Sequence, residues 1–502
     1  MRDLAIGIDI GTTGVKLVVA DLSGLVVFSG TINHALLSPY AGYAEEDPNV
    51  WWKSVQSLLA RVAAQVDTGR IAAVACSGMV PTLILVDERG TVVRHSIQQN
   101  DARATKEIRA WKDKIDEDAY FKRTGNTINQ QLVFPKLEWL RAHEPENVSR
   151  AVMMMGSYDY VSYRLTGVPA VEENWALESG LWMLEAHDWD PEVCELLALP
   201  EGFLPPVRRT GQVLGETTAE LEAATGFPAG IPVVTGIADH VASAFASGVI
   251  EAGDMLLKLG GAGDVLVATE RLETDPRLFV DYHPIEGKYL VNGCMAASGS
   301  IVRWLLGLFQ DADMDRIGEE AARLPAGSDG LITLPYFLGE KTPIFDLDAR
   351  GVFFGLTLSH SRAHLFRSVL EAVGYGFMHH VDVLHEMGIV PERAFLSNGG
   401  ARSEIWKQIV LSIVGLPGYY VPEHPGSCIG AAFVAFEGLG ASENWRPLRQ
   451  FLQRAERIEY SPGDHERYRR FYRVYRELYE TTKPLFPKLK NGNGEETHDG
   501  KA

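Results

Sequence analysis

Short apolar, β-branched runs broken by Gly, Ser, Thr and Asp open the chain. Leu4 to Ile10, Lys16 to Ala20 and Leu25 to Ser29 predict three strands, turning at Gly11-Thr12-Thr13-Gly14 and at Asp21-Leu22-Ser23-Gly24. Asp47-Pro48 predicts a helix start, with Asp47 as N-cap and Pro48 at the first position, running to about Gln65. Ile71 to Cys76, Leu83 to Val86 and Ile231 to Val234 predict further strands. Helical periodicity marks Arg103 to Lys114, Pro135 to His143 and Ser157 to Leu165.

The opening pattern returns near residue 255: a strand from Asp254 to Leu259, the turn Gly260-Gly261-Ala262-Gly263, and a strand from Asp264 to Ala268. Two such hairpins suggest a distant internal duplication. Helices then alternate with strands. Ser300 to Phe309, His360 to His385, Ser403 to Val414 and Cys428 to Glu437 predict helices, and Leu331 to Leu334, Ala394 to Ser397 and Tyr419 to Val421 predict strands. Such alternation is the mark of an α/β fold. The segment 488–502, rich in Gly, Asn, Glu and Lys, is expected to be disordered.

Composition narrows the function. The 502 residues are 46% hydrophobic and 23% charged, an ordinary globular balance. The formal net charge of −19 argues against nucleic acid as a partner, because that affinity needs clustered Lys and Arg. Nothing approaches the roughly 18 apolar residues of a membrane span, and because Asp3 and Asp9 interrupt the apolar run Leu4 to Ile10, a signal peptide is not expected there. Cys76, Cys194, Cys294 and Cys428 have neither paired nor metal-finger spacing, so reduced thiols and a cytoplasmic location are expected.

Four motifs carry candidate chemistry. Gly11, Thr12, Thr13 and Gly14 offer backbone N–H groups and hydroxyls in a concave array that suits phosphate oxygens, although an ordinary hairpin turn would use the same residues. Asp9, at the strand end before it, is a candidate ligand for hydrated Mg2+, while Lys16 is expected to lie along the hairpin in solvent. The turn Gly260, Gly261, Ala262, Gly263 would let a second stretch of polyphosphate approach the backbone. Asn398-Gly399-Gly400-Ala401-Arg402-Ser403 follows a strand and opens a helix, where a flat ligand and its oxygens would meet backbone. Asp239 follows an apolar strand, at the end where α/β sheets bind ligands; the alternative is an N-cap for the helix expected near Val241.

In this order the motifs resemble the FGGY carbohydrate kinases. Gly351-Val352-Phe353-Phe354-Gly355-Leu356 followed by His364-Leu365-Phe366-Arg367-Ser368-Val369-Leu370-Glu371 is similar to the family's C-terminal signature, and Phe134-Pro135-Lys136-Leu137-Glu138-Trp139-Leu140 matches the earlier one more loosely. The resemblance spans about residues 4 to 480 and is closest to the xylulokinase branch. It implies two ribonuclease H-like domains of the actin and hexokinase superfamily with a catalytic cleft between them, drawn at 1–247 and 254–485. It further implies Mg-ATP, with Gly11, Thr12 and Thr13 at the terminal phosphates, Gly260, Gly261 and Gly263 at the middle ones, and Gly399, Gly400, Ala401 and Ser403 at the adenosine. Asp239 becomes the catalytic base and, with Asp9, a metal ligand. A homodimer is an expectation from the family alone.

The acceptor end departs from that pattern. Xylulokinases usually carry Gln-Met-His where this chain has Met79-Val80-Pro81, so a polar sugar contact is lost. Asn100, Asp101 and Arg103 keep the family's Asn-Asp-x-Arg element, and His240 stands where Asn is usual. Met79, Asn100, Asp101, Arg103, Asp239 and His240 are the expected substrate contacts. Gly261 and Ala262 replace the usual hydroxyl residues of the second phosphate turn. The expected reaction is ATP-dependent phosphorylation of a small sugar or polyol, with xylulose the favoured ketopentose. Arg103 as a bidentate carboxylate receiver keeps gluconate-type acids as the alternative, beside a nonsugar acceptor. A non-kinase ATPase of the wider superfamily is the reading from a different class.

Overall fold

A computed structural model of the protein describes residues 2–309, 314–440 and 444–491. The described residues form two compact α/β units: 2–248 with 279–290 and 425–454, and 249–278 with 291–424 and 455–491. Two segments placed by the sequence reading in the second domain, 279–290 and 425–454, thus pack with the first unit.

The sheet of the first unit runs in the order Val213–Glu216, Pro232–Ala238, Ile71–Gly78, Leu4–Gly11, Gly14–Asp21, Val26–Asn33. The last three form an antiparallel meander. Leu4–Gly11, Ile71–Gly78 and Pro232–Ala238 are mutually parallel neighbours, and Val213–Glu216 closes the edge antiparallel. Ile71–Gly78 is buried along its whole length, as its unbroken apolar run requires of a central strand covered on both faces. In the second unit Gly263–Thr269, Asp254–Leu259, Arg393–Ser397, Gly418–Tyr420 and Glu456–Ile458 lie side by side. Here too an antiparallel hairpin is followed by two parallel strands and an antiparallel edge. The duplication read from two turns is therefore a duplication of sheet order.

Helices cover both faces of the first sheet. Pro48–Gln65 starts as expected, the Asp47 side chain accepting from Asn49 N at 2.9 Å. Asp47→Ala is expected to cost about 1 kcal/mol of stability, read by denaturation. On the other face lies the apolar helix Ser427–Gly438. Gly7 permits its approach: a Cβ there would sit 1.8 Å from the Cys428 carbonyl oxygen. All four cysteines are free thiols. The final helix, Phe486–Asn491, takes in the start of the segment expected to be disordered; 492–502 lie outside the described residues. Among the described residues no helix is long and apolar enough to cross a membrane.

Candidate functional site

Parallel pairing places three strand ends together. Asp9 pairs with Ser77 on the neighbouring strand, and Ser77 pairs with Ile237, two residues before Asp239. This is the carboxyl edge of the sheet, where side chains following the strands are free to meet a ligand. The helix Asp239–Ser247 begins at Asp239 itself; its N-cap is Ala238, which makes no side-chain cap. Asp239 is therefore not a capping residue, and its side chain stays 35% exposed.

Asp9 sits deeper. Its Oδ1 is buried and has no hydrogen-bond partner. Burial, then the nearby Asp239 carboxylate, push the Asp9 carboxyl up to about 6, against the pull of Ser427, Lys16 and Ser77. Two neighbouring carboxylates, one with an orphaned oxygen, make a hard-oxygen donor set that fits Mg2+. Beside them the turn between Gly11 and Gly14 closes the hairpin, with Thr12 and Thr13 exposed at its tip. Lys16 does not extend into solvent: its Nζ donates to the Pro425 carbonyl.

His240 is held from several directions. Its Nε2 lies 3.0 Å from Asp281 Oδ2 and 3.7 Å from Glu178 Oε1, and its Nδ1 lies 3.5 Å from Asp239 Oδ1. Burial alone would lower the imidazole, but Asp281 and Glu178 reverse this and hold it well above its ordinary value. Burial holds Glu178 well above the carboxylate range, with His240 opposing. Glu178 ends the helix Glu173–Glu178, and Asp281 lies in the strand Phe279–Tyr282. Asn174 fastens the two, its Oδ1 accepting from Tyr282 N at 2.7 Å and its Nδ2 donating to Tyr282 O at 3.1 Å.

The remaining expected acceptor contacts divide. Asn100 is exposed. Met79 is buried, and its carbonyl accepts from Ser157 Oγ at 2.7 Å. Asp101 and Arg103 are committed to each other, through Arg103 Nε to Asp101 Oδ1 at 2.8 Å and Nη2 to Oδ2 at 2.8 Å. Arg103 also pairs with Glu45 Oε1 at 2.7 Å, its carbon Cζ lies 4.0 Å from the Tyr43 ring centre, and its side chain is 1% exposed.

In the second unit the carbonyls of Gly260 and Gly261 accept from the N–H groups of Gly299, Ser298 and Ser300. The start of the helix Gly299–Leu308 is thereby satisfied by the turn. A trans peptide sets N–H opposite to C=O, so the N–H groups of Gly261 and Ala262 point away from that helix. Arg303 reaches back over the turn, an Nη2 lying 3.4 Å from where a Gly261 Cβ would be. Gly399 has nothing within 4 Å of a Cβ position, an open face beside the strand end. Gly400 is packed against Trp406 and Leu259, and Ala401 is buried. Ser403 caps the helix Glu404–Val414, its side chain accepting from Trp406 N.

Glu178, Asp281, Ser427 and Arg303 were not singled out by the sequence reading. Asp281 had a signal: a carboxylate between Val280 and Tyr282 in an apolar strand is costly unless paired. Glu178 and Arg303 had none, because each reaches its place only through the fold.

Comparison with known proteins follows the same lines. The profile of the FGGY family of carbohydrate kinases, N-terminal domain, matches residues 4–246, and that of the C-terminal domain matches residues 265–438. The solved structure of xylulose kinase from Rhodospirillum rubrum is 42% identical, with a TM-score of 0.90, covering 96% of this chain and 99% of that one. Xylulose kinase from Staphylococcus epidermidis is 28% identical over 97% of this chain and 98% of its own length. Gluconokinase from Bacillus subtilis is 27% identical over 90% of this chain and 91% of its own.

Proposed function

Because the chain belongs to the FGGY family of carbohydrate kinases, we propose that it transfers the terminal phosphoryl group of ATP to a hydroxyl of a neutral four- to six-carbon ketose or polyol, xylulose being the favoured ketopentose. The observation that favours a neutral acceptor is the state of Arg103. A guanidinium already paired with Asp101 and Glu45 and packed on Tyr43 is not available as a bidentate receiver for an acid sugar.

In this reading Asp239 accepts a hydrogen bond from the reacting hydroxyl, aims its oxygen and takes its proton. Phosphoryl transfer through a loose transition state needs positioning more than strong basicity, so a half-buried carboxylate that caps no helix suffices. Thr12 and Thr13 donate to the terminal phosphate. The outward N–H groups of Gly261 and Ala262 serve the inner phosphates, with Arg303 supplying the positive charge in place of absent hydroxyls. The open face of Gly399 and the residues to Ser403 take the adenosine. Asp9 and Asp239 would hold Mg2+, which when bound neutralises phosphate charge.

The test is ADP release, by a coupled assay, over a panel of ketoses, alditols and aldonates. The reading predicts a profile led by a ketopentose or pentitol. A profile led by an aldonate, with the neutral acceptors at background, would overturn it. Arg303→Ala is expected to raise the KM for ATP about tenfold and leave the acceptor KM within twofold, as loss of one charge-assisted phosphate contact should.

A further inference from the structure

Resting on the reading of a kinase with a neutral acceptor, we propose that Glu178 is a specificity-determining residue: with His240, it receives an acceptor hydroxyl other than the one phosphorylated. The structure supplies a fixed arrangement rather than a chance cluster. Asp281 Oδ2, 3.0 Å from His240 Nε2, takes the one good hydrogen bond that this nitrogen can make. Glu178 Oε1, at 3.7 Å from the same nitrogen, lies beyond hydrogen-bond distance. That oxygen is buried and has no hydrogen-bond partner. The Asn174 clamp fixes the helix that carries Glu178 against the strand that carries Asp281, so neither can drift to complete the other.

A buried polar oxygen left in this state calls for a partner, and an acceptor hydroxyl bound beside Asp239 supplies one. The ligand's chemistry follows from the surroundings. A hydroxyl can bond to the Glu178 carboxyl in either protonation state, and can bond to a second group at the same time. A ligand carboxylate would bring another negative charge into a place where Asp239 and Asp281 already share one imidazole. The subsite therefore selects a polyhydroxylated neutral molecule. It offers a polar contact next to the base, compensating for the apolar, buried Met79 and Val80. Asp281 is a positioning residue that acts through His240.

The experiment measures ADP release by the full chain and its Glu178→Ala and Glu178→Gln variants. The acceptors are D-xylulose, xylitol, D-arabinitol and gluconate, with the monodeoxy analogues of the best neutral acceptor. The expected result for E178A is an acceptor KM raised about tenfold or more, kcat within threefold and an unchanged KM for ATP. One monodeoxy analogue, disfavoured by the wild type, should then be used within twofold as well as its parent. A merely structural role would not erase discrimination against a single hydroxyl. E178Q, nearly isosteric, carries the same comparison should E178A not fold, with discrimination reduced. If the wild type uses a neutral acceptor and both variants keep every monodeoxy ratio within twofold, Glu178 makes no such contact and this inference fails alone. If the wild type uses only gluconate, the neutral-acceptor reading fails and takes the inference with it.

Discussion

Asp239→Asn is expected to lower kcat with the best acceptor by at least about 10²-fold, while affinity for metal-free nucleotide changes little. The amide keeps the volume and one acceptor oxygen, so the acceptor still has a place to bind. What it loses is the group that takes the proton, and the negative charge that aligns the hydroxyl. Because Asp239 is the first residue of its helix without capping it, the substitution removes no helix cap and touches only the 3.5 Å contact to His240 Nδ1, so the variant should fold and melt close to the parent. The His240 imidazole, 3.5 Å from Asp239 Oδ1, remains fixed by Asp281. Steady-state rates and ADP binding by calorimetry without Mg2+ decide the matter. Turnover within a few-fold of the parent would remove Asp239 from the role of base. Weakened ADP binding would instead place it at the phosphates.

The sheet was legible wherever periodicity and turn chemistry agreed. Strand Leu4–Gly11, the Asp47-capped helix and the long helix Arg362–Glu386 begin and end within about two residues of the pattern, because each is an uninterrupted apolar stripe between strong breakers. The helix at Asp239 was harder: the strand runs on to Ala238 through Gly236, and Asp239 reads equally as a cap or as a ligand until the backbone is known. Membership of 279–290 and 425–454 in the first unit lay beyond local reasoning, since no composition change marks a segment that crosses back. The same holds for the acceptor end. Asp101 and Arg103 look like open polar contacts in sequence. Only the fold brings Glu45 and Tyr43 against Arg103, or sets Glu178 and Asp281 around a histidine 62 and 41 residues away in the chain.

The second large effect is on stability. Lys136→Met is expected to destabilise the protein by roughly 3 kcal/mol, at about 1 kcal/mol for each of three hydrogen bonds lost. Lys136 lies in the helix Val133–His143 and is 1% exposed. Its Nζ donates to the carbonyls of Gln98 at 2.9 Å, Gln99 at 3.3 Å and Gln131 at 3.0 Å. An ammonium has three donors and no acceptor, so three converging carbonyls satisfy it fully. Methionine fills much the same volume, which confines the loss to hydrogen bonding rather than to a cavity. The three carbonyls left behind belong to the two stretches of chain flanking Asn100 and Asp101 on one side and the start of the helix on the other, so the acceptor loop loosens as the fold weakens. Thermal denaturation should show a midpoint lower by about 5 °C, the scale for roughly 3 kcal/mol in a unit of this size. Acceptor KM should rise while the KM for ATP stays within twofold, since every group released lies in the first unit. A midpoint within about 2 °C of the parent would mean that water replaces the ammonium at all three carbonyls, and Lys136 would then be only an expensive way of filling space.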